Sequence, residues 1–245
     1  SDNFSKSFNV TFLDQDGQRK FAFQTSWGVS TRLIGGLIMT HSDDKGLVLP
    51  PKISPVQVVI VPIAKNGDDE VVSATKAVAR KLTDLTVEID LRDTLRPGEK
   101  YYEWEKKGIP IRIEIGPKDV KNKSVILVRR DTGAKESCAV SNVKIRIDEI
   151  LQDIQSSLFN AALKRQDESN KIVDSWNDFE VAIRQGGYVF AHWCEDKDCE
   201  AQIKQKTKAV SRFLPFDTKE EDGHHYCINC GKEAGKKRWA FAMAY

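Results

Sequence analysis

Four of the five cysteines lie near the C-terminus in two pairs. Four residues separate Cys194 from Cys199, and two residues separate Cys227 from Cys230. Four thiolates can close a tetrahedron around Zn²⁺, and each pair is expected on a tight turn that makes its sulfurs converge. Because cysteine fills all four positions, no coordination site is left open. The pattern therefore predicts a structural zinc site.

Other interpretations of these side chains stay open. The four thiols could be free or redox-paired, and His192, His224 or His225 could replace one ligand. Cys138 lies in an alternating strand pattern and is expected to be an ordinary core residue. The sequence does not begin with a signal-peptide pattern. Together with the metal-like cysteine spacing, this predicts a reducing, cytoplasmic compartment.

A second chemically suggestive segment runs from Ser26, Trp27 and Gly28 to Ser30 and Arg32. It is expected at the end of a strand and the start of a helix. A helix N-terminus presents free amides to phosphate, and Arg32 would add a planar, permanent cation. These features allow a triphosphate site. A strand–turn–helix with an arginine is common, so the residues alone favour an ordinary structural role at this point.

The elements that position this segment form an N-terminal unit. Residues 8–27 alternate apolar and polar side chains around Asp16 and Gly17, which predicts a β-hairpin. A helix is expected over about 30–41, and a proline-rich linker follows at 50–55. The pattern of the chain changes after this linker.

A nearly continuous apolar run at 56–63 predicts a strand buried on both faces. The elements expected after it are a helix at 68–84, a strand at 86–91, a helix at 98–107, a strand at 109–115, a hairpin of 124–130 with 134–140, and a long helix at 143–170. We summarise this order as βαβαββα, an α/β domain with a mixed sheet. From about residue 176 a short helix, a strand at 188–191 and a final strand ending at 245 complete the chain.

Charge and hydropathy limit the possible partners. The net charge is +2, from 38 basic and 36 acidic residues, so a nucleic-acid partner would need local basic patches. No apolar run is long enough to span a bilayer, and we expect no membrane partner.

Several motifs resemble prolyl-tRNA synthetase. Residues 25–36 and 39–52 resemble the prolyl version of the third signature motif of class II aminoacyl-tRNA synthetases, and residues 3–6 resemble the stretch just before it. Residues 97–110 and 116–119 resemble the family's anticodon-binding domain. The cysteine pairs and the terminal Tyr245 resemble the archaeal and eukaryotic-type subgroup. The resemblance covers essentially the whole chain.

The resemblance implies an α/β chain, α+β overall, in three parts. Residues 1–53 would be the end of an antiparallel class II catalytic sheet, and 54–152 the βαβαββα anticodon-binding domain. Residues 153–245 would be a linker helix and a small zinc-binding α+β domain. The family's first two signature motifs and its homodimer interface would precede residue 1. We therefore expect a C-terminal half that is inactive alone.

The resemblance also implies a reaction. Proline and ATP, with Mg²⁺, would give prolyl-adenylate, and proline would pass to tRNA-Pro. Arg32 and Ser30 would then bind ATP. Ser26, Trp27 and Gly28 would line the proline and adenylate pocket, and the carboxylate of Tyr245 would point towards it.

Glu105, Arg112, Lys118 and Asp119 match the family's base-reading positions. Proline anticodons end in two guanines, whose N1–H and N2–H donors suit a carboxylate and whose O6 and N7 accept from arginine or lysine. Ordinary surface ion pairs are the competing interpretation. For the whole chain the alternatives are a non-catalytic tRNA-binding or regulatory module with structural zinc, and a zinc-ribbon protein-interaction domain without an RNA role.

Overall fold

The computed structural model describes residues 2–63 and 68–243. Its N-terminal unit contains α1 (Asn3–Ser7), β1 (Thr11–Leu13), β2 (Arg19–Phe21) and α2 (Arg32–His41). β1 and β2 pair antiparallel, which confirms the hairpin, and Gly17 takes a φ of 71° in its turn. The hairpin strands are shorter than expected because the chain after Phe21 forms no further ladder before α2.

The middle of the chain forms a five-stranded sheet with helices on both faces. Its elements are β3 (Val58–Pro62), α3 (Asp69–Ala79), β4 (Val87–Ile89), α4 (Pro97–Lys106), β5 (Ile111–Ile115), α5 (Pro117–Asn122), β6 (Ser124–Arg129), β7 (Lys135–Ala139) and α6 (Val143–Ser169). The spatial order is β4-β3-β5-β6-β7. β3 runs parallel to β4 and β5, while β6 is antiparallel to β5 and β7. The mixed sheet is therefore confirmed.

The order βαβαββα was wrong by one strand and one helix, because the structure has βαβαβαββα. All five strands were predicted by residue range, and the string of symbols left one of them out. The missing helix is α5, only six residues long. Its side chains are too few to show a periodic pattern, but Gly116 and Pro117 with Asp119 form a local start signal. The carboxylate of Asp119 accepts the amide of Gly116 at 2.9 Å and so closes the first turn. Helix α3 also ends earlier than expected. After it, backbone amides donate to carbonyls three residues earlier and not four, as Lys81 does to Val78 and Leu82 to Ala79.

β3 is buried along its whole length because both sheet faces are covered. Val58 and Ile60 face a core that includes Ile147 of α6, whereas Val59 packs with Trp104 of α4 on the other face. This explains the unbroken apolar run of the sequence. The two-sided core fixes the strand ends that carry the polar residues described below.

The C-terminal region forms a separate four-stranded sheet in the order β10-β13-β9-β8. Its elements are β8 (Lys171–Ile172), α7 (Trp176–Gln185), β9 (Val189–Ala191), α8 (Lys197–Thr207), β10 (Ala209–Phe213), β11 (His225–Tyr226), β12 (Glu233–Ala234) and β13 (Trp239–Met243). Phe179 and Trp193 each meet Phe241 edge-to-face in its core. Within the described residues no helix is long and apolar enough to cross a membrane.

Candidate nucleic-acid interface and metal centre

A polar cavity of about 250 Å³ lies over the ends of α4, β5 and β6. Its ionisable lining is mostly basic, with one carboxylate: Lys45, Glu105, Arg112, Arg129, Arg130 and Lys135. Glu105 comes from the last turn of α4 and Arg112 from β5. Two residues that the sequence predicted to read bases therefore share one cavity, and each of the five cations that line it is paired with a carboxylate.

The guanidinium of Arg112 is held in a fixed plane. Its Nε and Nη2 donate to Oε1 of Glu114 at 3.1 and 2.9 Å, and its carbon lies 4.2 Å from the ring centre of Tyr101. Lys135 donates to the same carboxylate oxygen at 3.3 Å. Burial raises the pKa of Tyr101 to about 12, so this ring stays a neutral phenol beneath the cation. These contacts hold the Arg112 guanidinium in one orientation, and its planar fork of donors suits planar hydrogen-bond acceptors.

Tyr101, Glu114 and Lys135 were missed by the sequence analysis. Glu114 could have been found, because residues two apart on a strand share a face, and Arg112 lies two positions before it. The signal for Tyr101 and Lys135 is weaker. They come from α4, which packs on the sheet, and from β7, which is separated from β5 by β6, so only the assembled domain brings them to Arg112.

Lys118 and Asp119 lie apart from this cavity. Lys118 is exposed in α5, and the Asp119 carboxylate is engaged in the start of that helix. Asp119 borders a different cavity of about 540 Å³ between α3 and α5. Their assignment as base-reading residues stays a prediction.

The four C-terminal cysteines converge, although they come from separate elements. Cys194 follows β9, Cys199 lies in the first turn of α8, and Cys227 and Cys230 flank the turn between β11 and β12. The expectation of a tight turn was wrong for the first pair. Instead, Oδ1 of Asp196 accepts the Asp198 and Cys199 amides at 2.9 and 3.0 Å and caps α8, which directs Cys199 inward.

The sulfur distances fit a tetrahedral metal. Cys194 Sγ lies 3.6 Å from Cys230 Sγ, as does Cys199 Sγ from Cys227 Sγ. All four sulfurs are within 4.8 Å of one another. A disulfide would need about 2.05 Å, whereas a tetrahedron with Zn–S bonds of about 2.3 Å has sulfurs about 3.8 Å apart. None of the described cysteines forms a disulfide, and the four C-terminal sulfurs could together hold a metal.

Backbone amides also favour a thiolate in this cluster. Burial raises the pKa of Cys199 to about 12. Burial acts in the same direction on Cys227, but the amides of Cys230 and Asn229 outweigh it and lower its pKa to about 7. Amide donors that stabilise a thiolate are typical of the surroundings of a metal-bound sulfur.

The histidines are engaged elsewhere. His192 Nδ1 lies 3.0 Å from the Gly235 carbonyl oxygen, and its Nε2 lies 3.2 Å from Glu221 Oε2. His225 stacks on His192, and His224 is exposed near Glu233. The carboxylate of Glu221 is already paired with Arg238 through two hydrogen bonds. Cys138 is buried in the large sheet core, as expected.

The predicted ATP and proline residues do not form an enclosed pocket within the described chain. Arg32 begins α2 and is exposed, as are Ser30 and Gly28. Trp27 is 93% exposed. Ser26 borders an open depression beside α1. Tyr245 lies outside the described residues. The roles of these side chains stay predictions.

Two family models match the chain. Residues 57–156 match the anticodon binding domain, which contains the cavity with Glu105 and Arg112. The chain thus carries a tRNA-anticodon-binding type of domain. Residues 176–245 match the C-terminal domain of prolyl-tRNA synthetase. Together the matches show an anticodon binding domain followed by a domain of the prolyl-tRNA synthetase C-terminal family.

Curated relatives agree with this family. The chain is 43% identical over 99% of its length to a proline–tRNA ligase of Oceanobacillus iheyensis, of which it covers 50%. It is 44% identical over 95% of its length to proline–tRNA ligase 2 of Clostridioides difficile, covering 48%. A proline–tRNA ligase of Porphyromonas gingivalis is 43% identical. The chain spans about half the length of these relatives. The archaeal and eukaryotic type stays a prediction.

Proposed function

We propose that this chain is the anticodon-reading and C-terminal part of a proline–tRNA ligase. Such an enzyme activates proline with ATP and Mg²⁺ and transfers it to tRNA-Pro, and we propose that it acts as a cytoplasmic homodimer. The observation that carries the proposal is the shared cavity of Glu105 and Arg112, within residues that match an anticodon-binding domain.

The cavity offers both kinds of group that a guanine needs. The Glu105 carboxylate can accept from guanine N1–H and N2–H, and Arg112 can donate to O6 and N7. An unpaired anticodon base can be splayed out of its stack to reach such groups. Arg112 is already oriented by Tyr101 and Glu114, so little ordering is needed on binding. Lys118 and Asp119 would act at the margin of the same interface.

Cys194, Cys199, Cys227 and Cys230 would hold a structural Zn²⁺. The bound metal would cross-link the segment between β9 and α8 to the β11–β12 ribbon. All four ligands are protein sulfurs, so no position for a reacting water is left. The Sγ separations and the amides around Cys227 support this part of the proposal.

The N-terminal unit supports a catalytic role only in a larger protein. Arg32 and Ser30 would bind ATP at the start of α2, and Ser26, Trp27 and Gly28 with Tyr245 would line the proline pocket. The exposure of Trp27 fits a surface that further protein covers. We accordingly propose the parts 1–53, 54–152 and 153–245, with no catalysis by this chain alone.

Arg112→Ala tests base reading. We expect the variant to bind a tRNA-Pro anticodon stem–loop about 5- to 150-fold more weakly, the equivalent of about 1–3 kcal/mol for one bidentate contact. Binding to a stem–loop without the two guanines should not change. Arg80→Ala is the control, because Arg80 is exposed at the end of α3 and does not line this cavity. Equal losses for both RNAs would reduce Arg112 to a general phosphate contact.

A non-catalytic tRNA-binding module is the second candidate, since the described ATP-end residues form no enclosed pocket. We expect that joining the chain to the preceding part of the Oceanobacillus iheyensis relative gives proline-dependent exchange of pyrophosphate into ATP. Exchange that depends on another amino acid would reject the prolyl assignment. Guanine-specific RNA binding without any exchange would favour the module.

A further inference from the structure

The segment of residues 43–49, here called the strap, joins α2 to the anticodon-binding domain. Its Leu47 amide donates to the Lys106 carbonyl at 3.0 Å, and its Leu49 amide donates to the Gly108 carbonyl at 3.2 Å. Gly108 has a φ of 74°, and a Cβ there would lie 2.6 Å from Leu47. This close approach fixes the strap against the end of α4, the helix that carries Glu105.

A buried arginine connects the strap to the same place. Arg130 Nη2 and Nη1 donate to Oδ1 and Oδ2 of Asp43 at 2.6 and 2.8 Å, and its Nε donates to the backbone oxygen of Glu105 at 2.8 Å. The Arg130 side chain is 4% exposed. Arg130 holds the pKa of Asp43 at about 2, so this carboxylate is ionised at neutral pH. The bidentate geometry fixes both partners.

The strap also reaches into the cavity itself. Lys45 Nζ lies 3.6 Å from Oε1 of Glu105, the carboxylate that would accept from guanine. Lys45, Glu105 and Arg130 all line the cavity. Asp43 follows the last residue of α2 by two positions. A group bound to Glu105 is therefore two contacts away from the helix that starts at Arg32.

We propose that Asp43, Lys45 and Arg130 form a clasp through which a guanine in the cavity orders the strap and α2. The inference rests on the proposed function. A base that binds the Glu105 carboxylate fixes that residue, and its carbonyl in turn holds Arg130 on Asp43. By thermodynamic reciprocity, a ligand that orders α2 would strengthen binding of the base by the same factor. These three are positioning residues, because they act through Glu105 and α2.

Hydrogen exchange of the 245-residue chain tests the clasp. We expect saturating tRNA-Pro anticodon stem–loop to slow exchange in residues 32–41 about fivefold, at the lower end of typical coupling between sites. Asp43→Asn should remove this RNA-dependent slowing while the stem–loop still binds. Asp44→Asn is the matched control, since it removes the same charge one residue away and should retain the slowing.

Lys45→Met provides a second variant, because Lys45 is exposed and its loss should not unfold the chain. It should also reduce the slowing. A purely structural role would alter exchange equally with and without RNA. The clasp is rejected if the stem–loop binds with guanine preference but exchange in residues 32–41 does not slow. It is also rejected if exchange slows in Asp43→Asn and Lys45→Met as much as in the unsubstituted chain. A stem–loop bound without guanine preference would reject the proposed function instead.

Discussion

The two sheet domains of this chain hold their polar sites in different ways. The five-stranded sheet buries branched aliphatic side chains on both faces, such as Ile60 on one face and Val61 on the other. The C-terminal sheet has a smaller, aromatic core, and Cys199 and Cys227 are part of it. In the first domain the core is complete without the site residues. In the second, two candidate metal ligands are core residues.

The difference has a physical cause. A short chain buries too little apolar surface to offset the conformational entropy lost on folding. A metal bound only by the folded state adds its binding free energy to stability. We therefore expect the C-terminal domain to depend on its thiolates and the anticodon-binding domain to depend on apolar packing. Four experiments test this contrast.

The largest expected effect is the removal of the metal. Chelation, or Cys199→Ser, should release about one zinc per chain and destabilise the C-terminal domain by up to the order of 10 kcal/mol. Metal analysis and hydrogen exchange of residues 171–243 measure both changes. Cys138→Ser is the matched control, because Cys138 is buried in the other core and should retain the zinc. A purified protein that is folded but free of metal would contradict the dependence.

The next effect concerns the aliphatic core. Ile113→Ala should cost the anticodon-binding domain about 2–5 kcal/mol in free energy of unfolding, through lost burial and a residual cavity. Urea unfolding followed by circular dichroism measures the loss. Ile145→Ala is the control, since Ile145 is 66% exposed on α6. If Ile113→Ala also released zinc, the two domains would not be independent.

The third experiment concerns the loss of stability in acid, which should depend on the buried carboxylate of Asp90 in the anticodon-binding domain. Hydrogen bonds from Arg92 hold the pKa of the buried Asp90 carboxyl well below its usual value of 3.8. A depressed pKa in the folded state means that the stabilisation is full above pH 4 and is lost progressively as pH falls below it. Asp90→Asn should flatten this acid dependence in urea titrations at pH 2–5. Asp148→Asn, on the exposed face of α6, should leave it unchanged.

The smallest effect is expected at the surface. Lys144 pairs with Asp84 and Asp148 at 2.8 and 2.5 Å, but these groups are solvated. Lys144→Met should therefore change the free energy of unfolding by at most about 1 kcal/mol. A larger loss by the same urea assay would show that ion pairs, and not only the apolar core, hold the anticodon-binding domain together.

The sequence alone determined the features that are written into local spacing. The apolar run of β3, the periodic pattern of α6 and the hairpin of β6 and β7 were all predicted and confirmed. The short helix α5 was missed because six residues show no period. Helix α8 was missed because it buries only Cys199 and Ile203, which is too little apolar pattern to recognise. The cysteine pairs were recognisable because ligand spacing is local.

The tertiary structure decided which distant residues meet. The cavity joins Lys45, Glu105, Arg112 and Lys135, which lie up to 90 positions apart and share no sequence pattern. The packing of α4 on the sheet and the pairing of β7 with β6 beside β5 bring Tyr101 and Lys135 to Arg112. The pairing of Asp43 with Arg130 spans 87 positions. Side-chain types can predict what a residue is able to bind. Only the packing of the core fixes which of those residues face the same space.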